Sequence, residues 1–270
     1  MKFNYRFIVY FIFVLALIYV FAPYLWVFTA AFSRAANFEI KIPRPPTLKN
    51  FIEIFKGKPR IWILNSVLIS LSVVGLTIAV TSLGGYALSR SSFKGKAILM
   101  YMIILFQVLP FTLLAVPIYS ILLLFNLLDT YLGLILVQAA IQVPISLWIM
   151  KGTIDSIPLE LEEAAEIDGA TGILILLKII LPLIRPGIAA VGVLAFVASW
   201  GNFLMPLILI SSESKMPISV GLYSAFGIWG DIDYAQLAAM SLVYMLPVII
   251  FYLCLRSYFS RGMGGVATGR

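Results

Sequence analysis

The chain has 270 residues, 62% of them hydrophobic and 11% charged, with a net charge of +7 and a mean hydropathy of +1.05. A soluble domain carries about a quarter charged residues, so this composition excludes one and describes an integral membrane protein. With no His and a single Cys, a disulfide framework and a His/Cys metal site are excluded as well.

Six stretches contain no Asp, Glu, Lys or Arg: residues 7–33, 61–89, 97–128, 130–150, 186–212 and 234–255. Each is long enough to cross a bilayer as a helix, which takes about 20 apolar residues. None alternates in polarity as a β-barrel strand does. The expected fold is an all-α membrane protein with six transmembrane helices.

The first stretch follows Lys2 and Arg6. It is too long for the h-region of a cleaved signal, about 7–15 residues, and reads as a retained anchor. Residues 34–60 form the one sizeable polar insert, extended at Pro43, Pro45 and Pro46. Within it, TLKNFIEIF predicts one or two amphipathic turns with Leu48, Phe51, Ile52 and Phe55 on one side, lying in the membrane interface. Spans two to four follow, and then residues 151–185, the longest internal loop. After span five, MPISVGLYSAFGIWGDIDY is broken by Pro217, Gly221, Gly227 and Gly230 and reads as an external loop. Cys254, inside span six, reads as a small packing residue. The expected organisation is an N-terminal span with an external polar segment over 1–60, a five-helix core over 61–256, and a cytoplasmic tail over 257–270.

The chemistry available inside the spans is limited. No Asp or Glu lies in any of them, whereas ion-coupled carriers place ionisable groups at mid-membrane. A Ser–His pair, a zinc pair and the phosphate-cradling G-x-x-x-x-G-K-[ST] loop are all missing. No catalytic residue is expected, no metal, and no cofactor bound by this chain, so a partner must supply any energy. The polar groups in the spans are amides, hydroxyls and aromatics. Gln138, Gln142, Trp200, Asn202 and Tyr244 suit either hydrogen bonds between helices or contact with a neutral, hydroxyl-rich solute. The positive charge does not point to nucleic acid, since no basic stripe is interleaved with aromatics. Attraction to anionic lipid head groups accounts for it.

The acids are distributed unevenly. Glu160, Glu162, Glu163, Glu166 and Asp168 are five of the 12 in the chain. From residue 151 to 185 the loop carries six acids and three bases in an otherwise basic protein. Pro158 can open a helix because its missing N–H costs nothing there. The carboxylates crowd its N-terminal half and complement the macrodipole. Ala164 and Ala165 keep it slim, Gly169 permits a sharp turn, and ILILLKIILPLI returns to the membrane with a bend at Pro182. Such an element suits a cleft on another protein, and equally a solvated acidic loop.

Glu163-Ala164-Ala165, three residues, Gly169, nine residues, then Ile179-x-Leu181-Pro182 resembles the EAA motif of ABC importer permeases, E-A-A-x3-G-x9-I-x-L-P. NSVLIS, GGYALSRSSFKGK, SWGNFLMPLIL and LPVIIFYLCLRSYFSRGMGGV are similar to the sugar-importing branch, in particular its maltose-type G subunit. Gly201 stands where such permeases often carry a polar residue, and the ending RGMGGVATGR differs from the usual one by a few residues.

The resemblance implies the type I ABC importer permease fold in the inner membrane, with a second permease chain of different sequence. It also implies two ATPase subunits holding ATP and Mg²⁺, and an external solute-binding protein. The loop of about 155–185 would be the coupling element, with Glu163, Ala164, Ala165, Glu166, Asp168, Gly169, Ile179, Leu181 and Pro182 as its ATPase-facing set. The cargo would be a sugar or oligosaccharide. A type I permease for a polyamine or phosphate is the alternative, and a secondary transporter or channel a distant third.

Six crossings put both termini on one side. Placing them in the cytoplasm puts 11 of the 19 basic residues inside, including the short loop from Arg90 to Lys96. With Cys254 replaced by Ser, a cysteine at Lys49 should then react with an impermeant thiol reagent in intact cells and one at Glu166 should not. The opposite labelling pattern would reverse the assignment of faces.

Overall fold

The computed structural model describes residues 5–37, 39–227 and 233–267. Among them the regular structure is helical, with no strand. Four helices are long and apolar enough to cross a membrane, and six spans result when each of two bent helix pairs counts as one. The six uncharged stretches are therefore present, but two of them are not single rods.

The chain packs as two compact units, residues 1–63 with 221–247 and residues 64–220 with 248–270. In the first unit, α1 (Tyr5–Ala31) is followed by α2 (Lys49–Lys56), the amphipathic turns expected in the polar insert. Asn50, not an apolar residue, fixes its inner face. Its buried side-chain amide donates to the carbonyls of Ala31 and Ser33, each at 2.8 Å. It thereby satisfies carbonyls that the end of α1 leaves without partners. Ile54 is buried beside it, and the Phe51 ring packs tilted against Phe32, with centroids 5.1 Å apart. Leu48, Ile52 and Phe55 remain exposed, as an interfacial helix requires. The stretch expected as a loop after span five instead contains α12 (Ile218–Gly227). Residues 228–232 of that stretch, and 268–270 of the tail, lie outside the described residues. The last helix, α13 (Tyr234–Ala267), continues well past residue 256 into what was expected to be the tail. Cys254 is exposed on it and not packed within the chain.

The second unit is organised around α6 (Tyr131–Asp155). On one side lies α3 (Pro59–Arg90), which runs in the same direction. Tyr131 donates its hydroxyl to Asn65 at one end and Ser89 to Asp155 at the other, so residues level with each other differ by 66 at both ends. The buried face of α3 carries Ser66, Ser70, Thr77 and Thr81, the small residues that let helices in lipid approach closely. On another side lies α10 (Arg185–Trp200), running the opposite way. Gly187 meets Thr153 near one end, and Ser199 bonds Gln138 at the other. A Cβ on Gly187 would fall 2.5 Å from Thr153 Oγ1, so only Gly allows this approach.

Span three is the first bent pair. It begins as α4 (Lys96–Leu105), resumes as α5 (Phe111–Leu124), and turns by 104° between them. Pro110 cannot donate to a continuing helix and pushes Leu109 into an extended conformation, with ψ 128°. Span five ends early as well. After Trp200 the chain turns at Gly201 and resumes as α11 (Leu204–Leu209). Ile69, Val73, Leu122, Leu134, Met205 and Leu209 form an apolar cluster from α3, α5, α6 and α11.

Next to that cluster a polar network joins the 125–130 and 210–218 segments. Asp129 sits in the left-handed region, φ 52°, where Asp is among the few tolerated side chains. Its carboxylate accepts from the backbone N–H groups of Ser211 and Ser212 at 3.0 and 2.9 Å, from the Ser212 hydroxyl, and from Lys215 Nζ at 3.1 Å. Asn65 donates to the carbonyls of Ser214 and Met216, both at 2.9 Å. These bonds, the Ser212 hydroxyl first, hold the Asp129 carboxyl well below the usual carboxylate range. A depressed folded value means that Asp129 contributes stability above its ordinary pKa near 3.8 and loses it as the pH falls further. In detergent, the unfolding midpoint should therefore drop below about pH 4, and Asp129→Asn should flatten that drop. Equal acid sensitivity in the two proteins would remove Asp129 as its cause.

Candidate functional site

The acidic loop folds as α7 (Glu160–Ile167), α8 (Gly172–Ile175), a π-helical turn at Leu176–Ile180, and α9 (Leu181–Leu183). Glu160, Glu162 and Glu163 occupy the first turn of α7, where the partial positive charge of the helix end favours them. The helix stops in a Schellman turn. Gly169 N–H donates to the Glu166 carbonyl and Ala170 N–H to the Ala165 carbonyl, both at 2.9 Å. Gly169 adopts φ +84° to close that turn. An L-residue there costs about 1–2 kcal/mol, although an added Cβ would meet nothing within 4 Å.

The second half of the loop returns toward α10 through two proline constraints. Pro182 has no N–H to give Lys178, and the turn before it relaxes to π-helix, with Leu181 N–H bonding the Leu176 carbonyl. The sharp bend, 81°, falls two residues later at Ile184, between Leu183 and Arg185. There Pro186 removes the next helical donor. The bend expected at Pro182 is thus shared between a π-turn at that proline and a break next to Pro186.

The motif residues divide into two sets. Glu163, Ala164, Glu166, Asp168 and Gly169 are exposed, and Ile167 between them is 87% exposed. Pro182 is exposed farther along. Ala165 is buried, and Ile179 and Leu181 pack half-buried against the cluster of Met150, Ile154, Ile175, Ile180 and Ile184. The loop is therefore a ledge, with one face seated in an apolar cluster and the other presented outward.

Glu162, one of the five clustered acids but outside the ATPase-facing set, is the one that turns inward, 6% exposed. Its Oε1 accepts from Arg90 Nε at 2.6 Å and Nη2 at 2.5 Å, and its Oε2 from the Tyr86 hydroxyl at 2.9 Å. Both partners stand at the end of α3, within the quoted segment GGYALSR. The available signal was an Arg closing an uncharged run in a chain that holds its acids in one loop.

The span amides and aromatics fall differently. Gln138 and Ser199 are buried and bonded to each other across α6 and α10 at 2.5 Å. Trp200 is 2% exposed and stacks on Phe196 at 5.7 Å, which stacks in turn on Phe251 at 4.1 Å. Asn202 accepts from Met205 N–H at 3.1 Å and steadies the start of α11. Gln142 lies half-buried on α6, and Tyr244 half-buried on α13 in the other unit. In this conformation Gln138, Trp200 and Asn202 hold the packing together.

The family model for the inner membrane component of binding-protein-dependent transport systems matches residues 80–265. The chain belongs to this family, as an ABC importer permease. The permease is 35% identical over 228 residues to the arabinooligosaccharides transport system permease protein AraQ of Halalkalibacterium halodurans, covering 83% of this chain and 81% of the relative. It is 27% identical over 247 residues to the trehalose/maltose transport system permease protein MalG of Thermococcus litoralis, covering 89% and 88%. Its fold is similar to that of a bacterial ABC transporter involved in the import of the acidic polysaccharide alginate. That match has a TM-score of 0.79 at 19% identity and covers 96% of this chain and 98% of the other. The permease is thus an integral membrane protein of the type I importer fold.

Proposed function

We propose that the permease forms, with a second permease chain, the membrane pathway for a sugar or oligosaccharide delivered by an external binding protein. Hydrolysis of ATP, with its Mg²⁺, takes place in two partner ATPase subunits, one of which receives α7. The observation that carries this reading is the ledge itself. A short helix is anchored by Ala165 and Glu162 on one face and turns Glu163, Ala164, Glu166, Ile167 and Asp168 outward on the other. The cargo class is supported by the sugar systems named for AraQ and MalG. Both termini and the ledge lie on the cytoplasmic side in this reading.

The ledge carries force, with no bond-breaking chemistry. Closure of the ATPases on ATP pushes α7, and the packed cluster beneath it passes the push to α6 and α10. Reversing a 1:99 population of inward-open and outward-open states takes about 5.5 kcal/mol of differential binding, and that energy comes from the ATPases. Ile167 offers the contact an apolar anchor, and Glu163 offers a charge-assisted hydrogen bond of about 1.5–3 kcal/mol to a donor on the partner.

Gly169→Val should abolish uptake by the assembled transporter while the protein still inserts, through the φ penalty and the intruding side chain. Glu163→Ala should weaken ATPase co-purification or coupling more than cargo recognition. A surface residue making no contact is worth under about 0.5 kcal/mol, so normal uptake in both variants would end the assignment of this ledge to the ATPase. The permease purified alone should neither hydrolyse ATP nor accumulate sugar on a pH or sodium gradient. Gradient-driven uptake by the lone chain would replace the importer reading with a secondary transporter.

A further inference from the structure

The ledge needs more than an apolar seat. A helix of eight residues is too short to hold itself together in water, and an apolar cluster resists separation while allowing one element to slide or rotate on another. Arg90, the last residue of α3, ties α7 to both α3 and the end of α6. Its Nε and Nη2 take Glu162 Oε1 on α7, and Nη2 also reaches the carbonyls of Ile157 and Ile154 at the C-terminal end of α6, 3.1 and 3.3 Å away. Nη1 returns to the Ser89 hydroxyl at 3.3 Å. Tyr86, one turn back on α3, holds the other oxygen of Glu162. The side chains of the ion pair are 17% and 7% exposed, so water neither screens nor competes with it effectively.

A buried ion pair is a poor device for stability alone, since an apolar pair of similar volume often does as well. It does give direction. A planar guanidinium bonded to a carboxylate and two carbonyls fixes the distance and the rotation between the groups it joins.

We propose that Arg90, with Glu162 and Tyr86, is the joint that makes α7 move as one body with the ends of α3 and α6. This proposal rests on the reading of α7 as the ATPase-coupling element. A push on the ledge would then be delivered to two membrane helices directly, and the joint would act on coupling between ATP and transport rather than on recognition of the ATPase or the cargo. Arg90 is on this account a positioning residue.

The test uses the full complex of both permeases, ATPases and binding protein in proteoliposomes, with Cys254→Ser in this chain. A cysteine at Ile167 first checks the underlying reading by disulfide cross-linking to the ATPase. Absence of any cross-link overturns that reading and the joint with it. With the cross-link present, Arg90→Lys keeps the charge and removes the planar fork. Uptake is followed with the labelled oligosaccharide that the unaltered complex accepts from a panel of maltose-, arabinan- and galactan-derived oligomers.

Uptake per ATP hydrolysed should fall at least about fivefold, the lower end of typical coupling effects, with ATPase co-purification retained. Spin labels at Lys94 and Asp168 should report one distance with ADP and with ATP–vanadate in the unaltered chain, and in Arg90→Lys a distance that differs between the two. Tyr86→Phe, which removes a single hydroxyl, should shift both readouts in the same direction by less, and it serves if Arg90→Lys fails to insert. An unchanged uptake-to-ATP ratio with nucleotide-independent distances overturns the joint while leaving the ledge reading intact. Loss of ATPase co-purification in Arg90→Lys would make Arg90 an assembly residue and overturn it as well.

Discussion

A hydrocarbon layer offers no water to satisfy a backbone N–H or C=O, so a chain that crosses it must close its own hydrogen bonds. That constraint makes every crossing helical and drives the charges to the ends of the crossings. It also means that a break in a helix must be satisfied locally. The break at Pro110 is flanked by a 3-10 turn, with Leu109 N–H returning to the Phe106 carbonyl. The break near Pro182 is absorbed by a π-turn. The end of α1 is closed by an asparagine amide.

Within the second unit, α6 takes both neighbours through contacts that only small groups allow. A Cβ on Gly85 of α3 would come within 3.2 Å of the Lys151 backbone, and Gly187 opens α10 to Thr153. The two ends of the unit differ in chemistry. One is tied by Asp129, Asn65 and Lys215 into a network of charged and amide bonds. The other is an apolar cluster under the ledge, with the Arg90–Glu162 ion pair buried beside it and Asp155 taking Ser89 and Lys151 at its edge. On the proposed reading, force applied to the ledge would enter a packed core that does not deform continuously, so a local push would be converted into a change of state.

The same residue types serve different ends in different places. Of the acids in the loop, Glu162 turns inward to Arg90 while Glu163, its neighbour, turns outward. Adjacent residues on a helix point about 100° apart, so one of the pair can bind the permease to itself and the other can address a partner. Gln138 and Trp200 carry the side chains expected of a sugar contact, yet in this conformation Gln138 bonds Ser199 across α6 and α10 and Trp200 stacks on Phe196.

The sequence by itself determined the class, the number and placement of the apolar crossings, the acidic helix and its glycine stop. Those features follow from local composition, and local physics is enough to produce them: an uncharged run in lipid becomes a helix, and Gly169 is where a Schellman turn can close. The spacing of the EAA residues was legible through its resemblance to the motif of ABC importer permeases. Tertiary structure alone decided which acid faces inward, because that depends on Arg90 and Tyr86, more than 70 residues earlier in the chain. It alone decided that Gln138 is spent on Ser199, since that bond joins α6 to α10 between residues 61 apart. A pattern of residue types states what each side chain can bind, and only the packed helices state what lies within reach of it.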